Sequence, residues 1–253
     1  MRTGASLGAN ICPECLARLE ALPDLELLRS IATEPRVPSG FETSHRLCDS
    51  CLTVYRADAR HERVCVISRA GLRIAVAGWT SGLTEALRAD LRKEAPGAAG
   101  LLARVFKILV SPLIEGSDHR SVGLVPVPMA SSGGSPSGLV RLVRRLGERL
   151  RIPVVEAVER SKRGSTRGSV AQERERIVEE EYSIVATRLP EIEGRKVLLI
   201  DDMITTGHTM SGVARLLLSA GAALILPVAL DRTASRRLLQ RLASVAPDRC
   251  PHR

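Results

Sequence analysis

The stretch VLLIDDMITTGHT, residues 197–209, restricts what this chain can fold into more than any other part of it. Four apolar residues without polar alternation read as a strand buried on both faces, as central strands of parallel sheets are. A polar loop follows. Next comes TMSGVARLLLSAG, in which Met210, Val213, Ala214, Leu217 and Leu218 share one helical face and Gly221 ends the helix. ALIL supplies the next strand. Strand, loop, helix, strand is a βαβ unit, and its polar loop lies at the strand's carboxyl end, where open parallel sheets bind ligands. Pro227, directly after ALIL, predicts an edge or bulge there because it lacks a ladder donor.

The order of residues in the loop has a chemical reading. Backbone N–H groups of Thr205, Thr206, Gly207, His208 and Thr209, with the positive end of a helix starting near Thr209, form an anion cradle. Gly207 permits close approach of a phosphate, and the threonine hydroxyls add donors. Asp201 and Asp202 repel a phosphate but accept hydrogen bonds from a sugar diol. Together these parts fit a ribose 5-phosphate. An Asp-Asp strand end also occurs in P-loop NTPases, but those need a Gly-Lys pair, and the chain has none. A simple helix cap at Thr206 or Thr209 would require only one of these residues.

The chain from Val64 onward alternates in the same α/β manner. VCVIS and RIAVA read as two short strands joined through RAGL as a hairpin. SGLTEALRADLRKEA predicts a helix capped by Ser81 or Thr84, and AAGLLARVFKILVSPLI a second one. The strand VGLVPVP leads into the Gly/Ser-rich loop MASSGGSPSG, the helix LVRLVRRLGERL and the strand IPVVEAV. Residues 160–176 are basic and without apolar periodicity, which reads as either a mobile loop or a solvated linker, followed by a strand in EEEYSIVA.

The first third differs. CPEC at Cys12 and Cys15 and CDSC at Cys48 and Cys51 are two Cys-x-x-Cys knuckles separated by 32 residues, with helical LARLEALPDLELLRSI between them. Each knuckle can place two thiolates on one ion, so the pairs predict a structural four-thiolate zinc site, with a redox pair or four unrelated buried thiols as the alternatives. Cys65, in an apolar run, reads as a core residue. No apolar run approaches the roughly 20 residues of a spanning helix. The N-terminus has no apolar secretory segment, so a reducing cytoplasm is expected.

The net charge of +9 invites nucleic acid as a partner. Residues 141–176 hold eleven Lys or Arg against five Glu, and residues 232–253 hold six Arg against one Asp. With only five Phe, Tyr and Trp residues, however, no aromatic platform for stacked bases is visible. The expectation is at most weak, salt-sensitive, sequence-independent binding.

VLLIDDMITTGHT resembles the phosphoribosyl pyrophosphate motif of type I phosphoribosyltransferases. From Cys12 to about Thr233 the chain is similar to their ComF subgroup, which joins an N-terminal zinc module to this domain. Trp79, Gly82 and Lys93, the Val-Pro-Val-Pro strand end and the basic ERSKRGSTRG carry the wider likeness. Two features depart from it. After Val-Pro-Val-Pro the subgroup has an arginine followed by Arg-Gly-Phe-Asn, where this chain has MASSGGSPSGLVRL; the Gln and Asn usual after the basic loop are out of register, with Gln172, Arg174 and Tyr182 nearby.

The resemblance implies a type I phosphoribosyltransferase fold, with a central parallel sheet flanked by helices, over residues 63–243. It implies a four-cysteine zinc module over 1–62, and a basic tail remains at 244–253. It implies Asp201 and Asp202 on the ribose hydroxyls, Thr205 to Thr209 on the 5-phosphate, and Ala130, Ser131, Ser132 and Gly133 facing the pyrophosphate. Arg160, Lys162 and Arg163 would stabilise the leaving group. The implied cofactors are Mg2+ with phosphoribosyl pyrophosphate and structural Zn2+ at Cys12, Cys15, Cys48 and Cys51. The reaction would transfer ribose 5-phosphate to an acceptor the sequence does not identify; a non-catalytic regulator or a competence-associated protein is the alternative. A homodimer is left open.

Overall fold

The computed structural model describes residues 11, 13–31, 43–61, 65–79, 82–93, 97–128, 137–161, 178 and 180–233. Its centre is a parallel sheet in the order β3 (Ala75–Trp79), β8 (Leu224–Arg232), β7 (Lys196–Ile204) and β4 (Val122–Pro126). Residues 153–155 run beside β4, where the Leu124 N–H donates to the Pro153 carbonyl at 2.9 Å and the Val155 N–H to the Leu124 carbonyl at 2.8 Å. Two short antiparallel pairs stand apart from this sheet: β1 (His45–Leu47) with β2 (Val54–Arg56), and β5 (Val158–Arg160) with β6 (Tyr182–Ile184).

Strand periodicity assigns the two faces of the sheet to two cores. Leu198 and Ile200 of β7, with Val122 and Leu124 of β4, pack under α2 (Asp24–Ile31), α4 (Gly82–Arg92), α5 (Ala98–Ile114) and α6 (Gly138–Leu150). Val197 and Leu199 face the other way, toward α7 (His208–Ser219) and the short helix α3 (Val66–Arg69). Burial on both faces explains why VLLI carries no polar alternation. Full burial of each such side chain contributes about 1.5–3 kcal/mol. The helices α1 (Pro13–Ala21) and α2 are tied to α5 by Arg104, which donates to Asp24 Oδ1 at 2.6–2.8 Å and to the carbonyls of Glu20 and Leu22. No helix among the described residues is long and apolar enough to cross a membrane.

Two expectations need correction, and a third, for Pro227, is met at a local edge. VCVIS, described from Cys65 onward, is not a strand and forms no hairpin with RIAVA. Cys65 instead caps α3 by accepting from the Ser68 N–H at 3.4 Å, and Val66 and Ile67 are buried beneath the sheet's second core. A short apolar run cannot be told from a buried helical turn by periodicity alone. β3 therefore pairs in parallel with β8. IPVVEAV divides into the stretch beside β4 and β5. Finally, Pro227 stands inside β8, opposite Leu199, but pairing with β3 begins only at Val228. The proline thus occupies a part of β8 flanked by a single strand in the register, which limits the cost of its missing N–H.

One polar contact penetrates the sheet's carboxyl end. Arg88 of α4, 3% exposed, places Nε 3.4 Å from Oδ2 of the fully buried Asp231, and its Nη1 lies 2.8 Å from Met203 Sδ. Removing one member of a buried ion pair strands the other charge, at a cost of about 3–5 kcal/mol. Arg88→Met should therefore lower the unfolding free energy by about that amount in a urea titration. Combining it with Asp231→Leu should recover most of the loss.

Candidate functional site

β7 continues past its apolar run through Asp201 and Asp202 to Ile204, and the chain then bends through Thr205, Thr206 and Gly207 into α7 at His208. The helix thus begins one residue before the expected position. The carboxyl end of the strand is held by the Thr233 N–H donating to the Ile204 carbonyl at 2.9 Å, and the helix start by the Ser211 N–H donating to the Gly207 carbonyl at 2.8 Å. Gly207 has φ +85°, and a Cβ built there would lie 2.8 Å from Ile67 side-chain carbons. Only glycine fits both the backbone and the space.

Asp201 and residues 203–210 line one small polar pocket. The Asp202 N–H donates to Asp201 Oδ1 at 2.8 Å. Burial, and then the neighbouring Asp202 charge, push the Asp201 carboxyl well above the usual carboxylate range. His208 Nδ1 lies 2.8 Å from Thr206 Oγ1, which fixes two side chains of the loop to one another. Arg92, on α4, brings Nη1 to 4.0 Å from Asp202 Oδ2. The end of β7 thus presents the Asp201 carboxyl, backbone donors and hydroxyls around one opening, with Asp202 beside it turned toward Arg92.

The hairpin β5–β6 approaches the same opening. Arg160 Nε and Nη2 donate to Glu181 Oε2 at 3.1 and 2.9 Å, and its guanidinium lies 5.5 Å from the centroid of the Tyr182 ring. The buried Tyr182 hydroxyl shares a hydrogen bond with the Thr209 side chain; burial, above all, pushes it up to about 12. Arg160 is therefore a strand residue engaged with Glu181 and placed one side chain away from Thr209. Glu181, Arg88 and Arg92 were missed by sequence reasoning. For the arginines, the signal available was their four-residue spacing on an amphipathic helix. Ala130, Ser131, Ser132, Gly133, Lys162 and Arg163 lie outside the described residues.

A second constellation sits behind the loop. Cys48 and Cys51 occupy a tight turn in which the Cys48 N–H donates to the Thr53 carbonyl at 2.9 Å and the Leu52 N–H to the Cys48 carbonyl at 2.8 Å. Their sulfurs, His61 Nε2 and Cys65 Sγ all lie within 4.8 Å of one another, close enough to hold one metal ion. Cys51 Sγ is 3.3 Å from His61 Nε2, and the His61 ring stacks on Tyr55 at 4.7 Å. Burial alone would raise the Cys51 thiol, but Thr53, His61 and the Arg232 charge bring it down to about 6; burial pushes Cys65 up to about 12. The described residues thus bring His61 and Cys65, rather than Cys15, to the second knuckle. Cys15 lies on α1 against the opposite core, because α1 packs on α5, and Cys12 lies outside the described residues. Cys65 is buried as expected, but beside two other thiols.

With this geometry in view, comparison with known proteins bears on the second half of the chain. Residues 134–246 match the family model for the phosphoribosyl transferase domain. No curated protein matches the chain. Similar solved structures include the allosteric regulatory enzyme of purine biosynthesis, at 17% identity and a TM-score of 0.34 over 57% of this chain and 37% of that one. Another is the adenine phosphoribosyltransferase from Saccharomyces cerevisiae, at 16% identity and a TM-score of 0.40 over 62% and 79%. A third is the phosphoribosylpyrophosphate synthetase from Mycobacterium smegmatis, at 17% and 0.36 over 71% and 48%. The chain spans less than half the length of the first and third of these. The phosphoribosyl transferase domain model takes in β7, its acidic pair, the loop and α7, together with the β5–β6 hairpin.

Two outcomes follow from the loop. Gly207→Ala should destabilise the fold by about 1–3 kcal/mol through strain at positive φ, measured by chemical denaturation. Asp201→Asn should raise the melting temperature of the unliganded protein at neutral pH. Because the folded carboxyl is raised above its unfolded value, the penalty on the wild type is absent below about pH 4 and grows as pH rises. A gap between the two proteins that stays constant from acid to neutral pH would contradict this.

Proposed function

We propose that the chain is a phosphoribosyltransferase that binds phosphoribosyl pyrophosphate at the carboxyl end of β7 and transfers ribose 5-phosphate to an acceptor. The observation that carries this reading is the loop 205–209: backbone donors at a helix start, a glycine whose positive φ turns the chain into that helix against Ile67, and two carboxylates immediately upstream. The 5-phosphate would rest on the N–H groups and hydroxyls of Thr205, Thr206 and Thr209. Asp201 and Asp202 would accept from the ribose hydroxyls, which orients the anomeric carbon toward the opening.

The donor set also fits magnesium. Two adjacent carboxylates, one of them raised first by burial and then by its neighbour's charge, favour a cation, and a hard ion takes oxygen ligands from few side chains and several phosphates. When bound, Mg2+ would neutralise charge on the departing pyrophosphate. The chain's own residues have other tasks. Thr209, held by Tyr182, fixes one wall of the phosphate cradle, and the Arg160–Glu181 pair holds β5 to β6 beside it. Arg92 offers positive charge near Asp202, where anionic oxygens of the substrate would approach.

Titration calorimetry with phosphoribosyl pyrophosphate and magnesium should show binding that the double variant Asp201→Asn, Asp202→Asn reduces by at least about 100-fold, a loss typical of removing charged hydrogen bonds. Equal binding by the variant would remove the site. Pyrophosphate release should then be followed across purine, pyrimidine and amine acceptors. Tight binding with no release across the whole panel would favour a non-catalytic regulator instead.

A further inference from the structure

The cysteine–histidine constellation and the phosphate loop are in direct mechanical contact, along two separate routes. The first runs through α3. Cys65 supplies a sulfur to the constellation and at the same time caps this helix, whose Ile67 is the residue a Cβ at Gly207 would strike, with Val66 in van der Waals contact beside it. The Ser211 hydroxyl, one turn into α7, donates to the Val66 carbonyl at 3.2 Å in a buried position. The second route runs through β8. Arg232, its last residue, donates from Nη2 to Thr53 Oγ1, which lies 3.2 Å from Cys51 Sγ. In register, Arg232 pairs with Ile204, the residue that enters the loop.

Arg232 adds an electrostatic observation. It is 6% exposed, and its Nη1 has no hydrogen-bond partner among the described residues. A buried guanidinium demands a counter-charge. Three thiolates and a neutral imidazole around a dication carry a net charge of about −1, which one arginine balances. Three sulfurs and one ring nitrogen within 4.8 Å also form the donor set and count of a closed, tetrahedral zinc site.

We propose that a zinc-class ion held by Cys48, Cys51, His61 and Cys65 sets the position of the phosphate loop, so that occupancy of the metal site controls affinity for sugar phosphate. The ion would fix Cys65, hence α3, hence the wall against Gly207 and Ser211. It would also hold the turn bearing Thr53, hence Arg232 and the start of the loop. Its ligands differ from a pairing of the two Cys-x-x-Cys knuckles, and its role extends beyond stabilising an appended module. The sugar-phosphate part of the inference rests on the proposed function; the mechanical part does not.

The full-length protein should contain about one zinc per chain by metal analysis. Its removal with a chelator should accelerate amide hydrogen exchange across residues 204–211 and weaken ribose 5-phosphate binding about ten-fold, with both effects reversed by added zinc. Ile67→Ala provides a second handle: it should keep the zinc yet accelerate exchange in the same residues, and it decides the matter if stripping unfolds the chain. Absence of zinc, or exchange at 204–211 that ignores both zinc removal and Ile67→Ala, would overturn the proposal. Zinc-dependent exchange without any ribose 5-phosphate binding would sink the functional reading and uphold the coupling. Binding of equal strength in the loaded and stripped proteins would do the reverse.

Discussion

Every part of the candidate site depends on β7 being buried on both faces between β8 and β4. That burial fixes the direction and the depth of the strand, because Leu198 and Ile200 must enter one core while Val197 and Leu199 enter the other. A shift by one residue would exchange all four. With the register so determined, the strand's end, and with it Asp201, Asp202 and the turn into α7, can only emerge at one edge of the sheet. The apolar run is thus the reason that two carboxylates can be held side by side at considerable electrostatic cost.

What could be read from the sequence follows the same logic. The βαβ unit was legible because its signals are dense and local: a continuous apolar run, a glycine-centred polar loop and a helical face of Met210, Val213, Ala214 and Leu217. α5 and α6 were legible for similar reasons of length and spacing. VCVIS was not, because Val66 and Ile67 are buried by a partner far along the chain, at Gly207, and nothing in five residues distinguishes that burial from a strand's. The role of His61 was also invisible locally. A lone histidine ten residues after Cys51 acquires meaning only when the chain turns back to place Cys65 beside it. The acidic and threonine residues of the loop could be singled out as candidates because their chemistry lies within one short segment; Arg88, Arg92 and Glu181 could not, because theirs is distributed over distant segments.

Buried charge is arranged on each side of the loop by different means. Under the α4 face, Arg88 meets Asp231 in a sealed pair close to Met203. Beneath the other face, Arg232 is turned toward thiols through Thr53. Asp231 and Arg232 are consecutive in β8, so the alternation of a strand sends one residue to each face. The sequence Asp-Arg at the end of an apolar strand therefore links two otherwise separate regions of polar chemistry to the same backbone.

The pairing of β5 with β6 has an effect on the chain between them. Residues 160 and 182 face one another in register, the Ser161 N–H donates to the Glu181 carbonyl at 2.7 Å, and Arg160 grips the Glu181 side chain. The two ends of the intervening segment are thereby brought together, and the entropy of closing it is already offset by the hairpin. Each doubling of such a segment's length would cost only about 0.6 kcal/mol further. The cost to this fold of added length between these two strands is therefore small, with one fixed point in it: Val178, buried in the second core against Gly212, ties the returning chain to α7 next to the site.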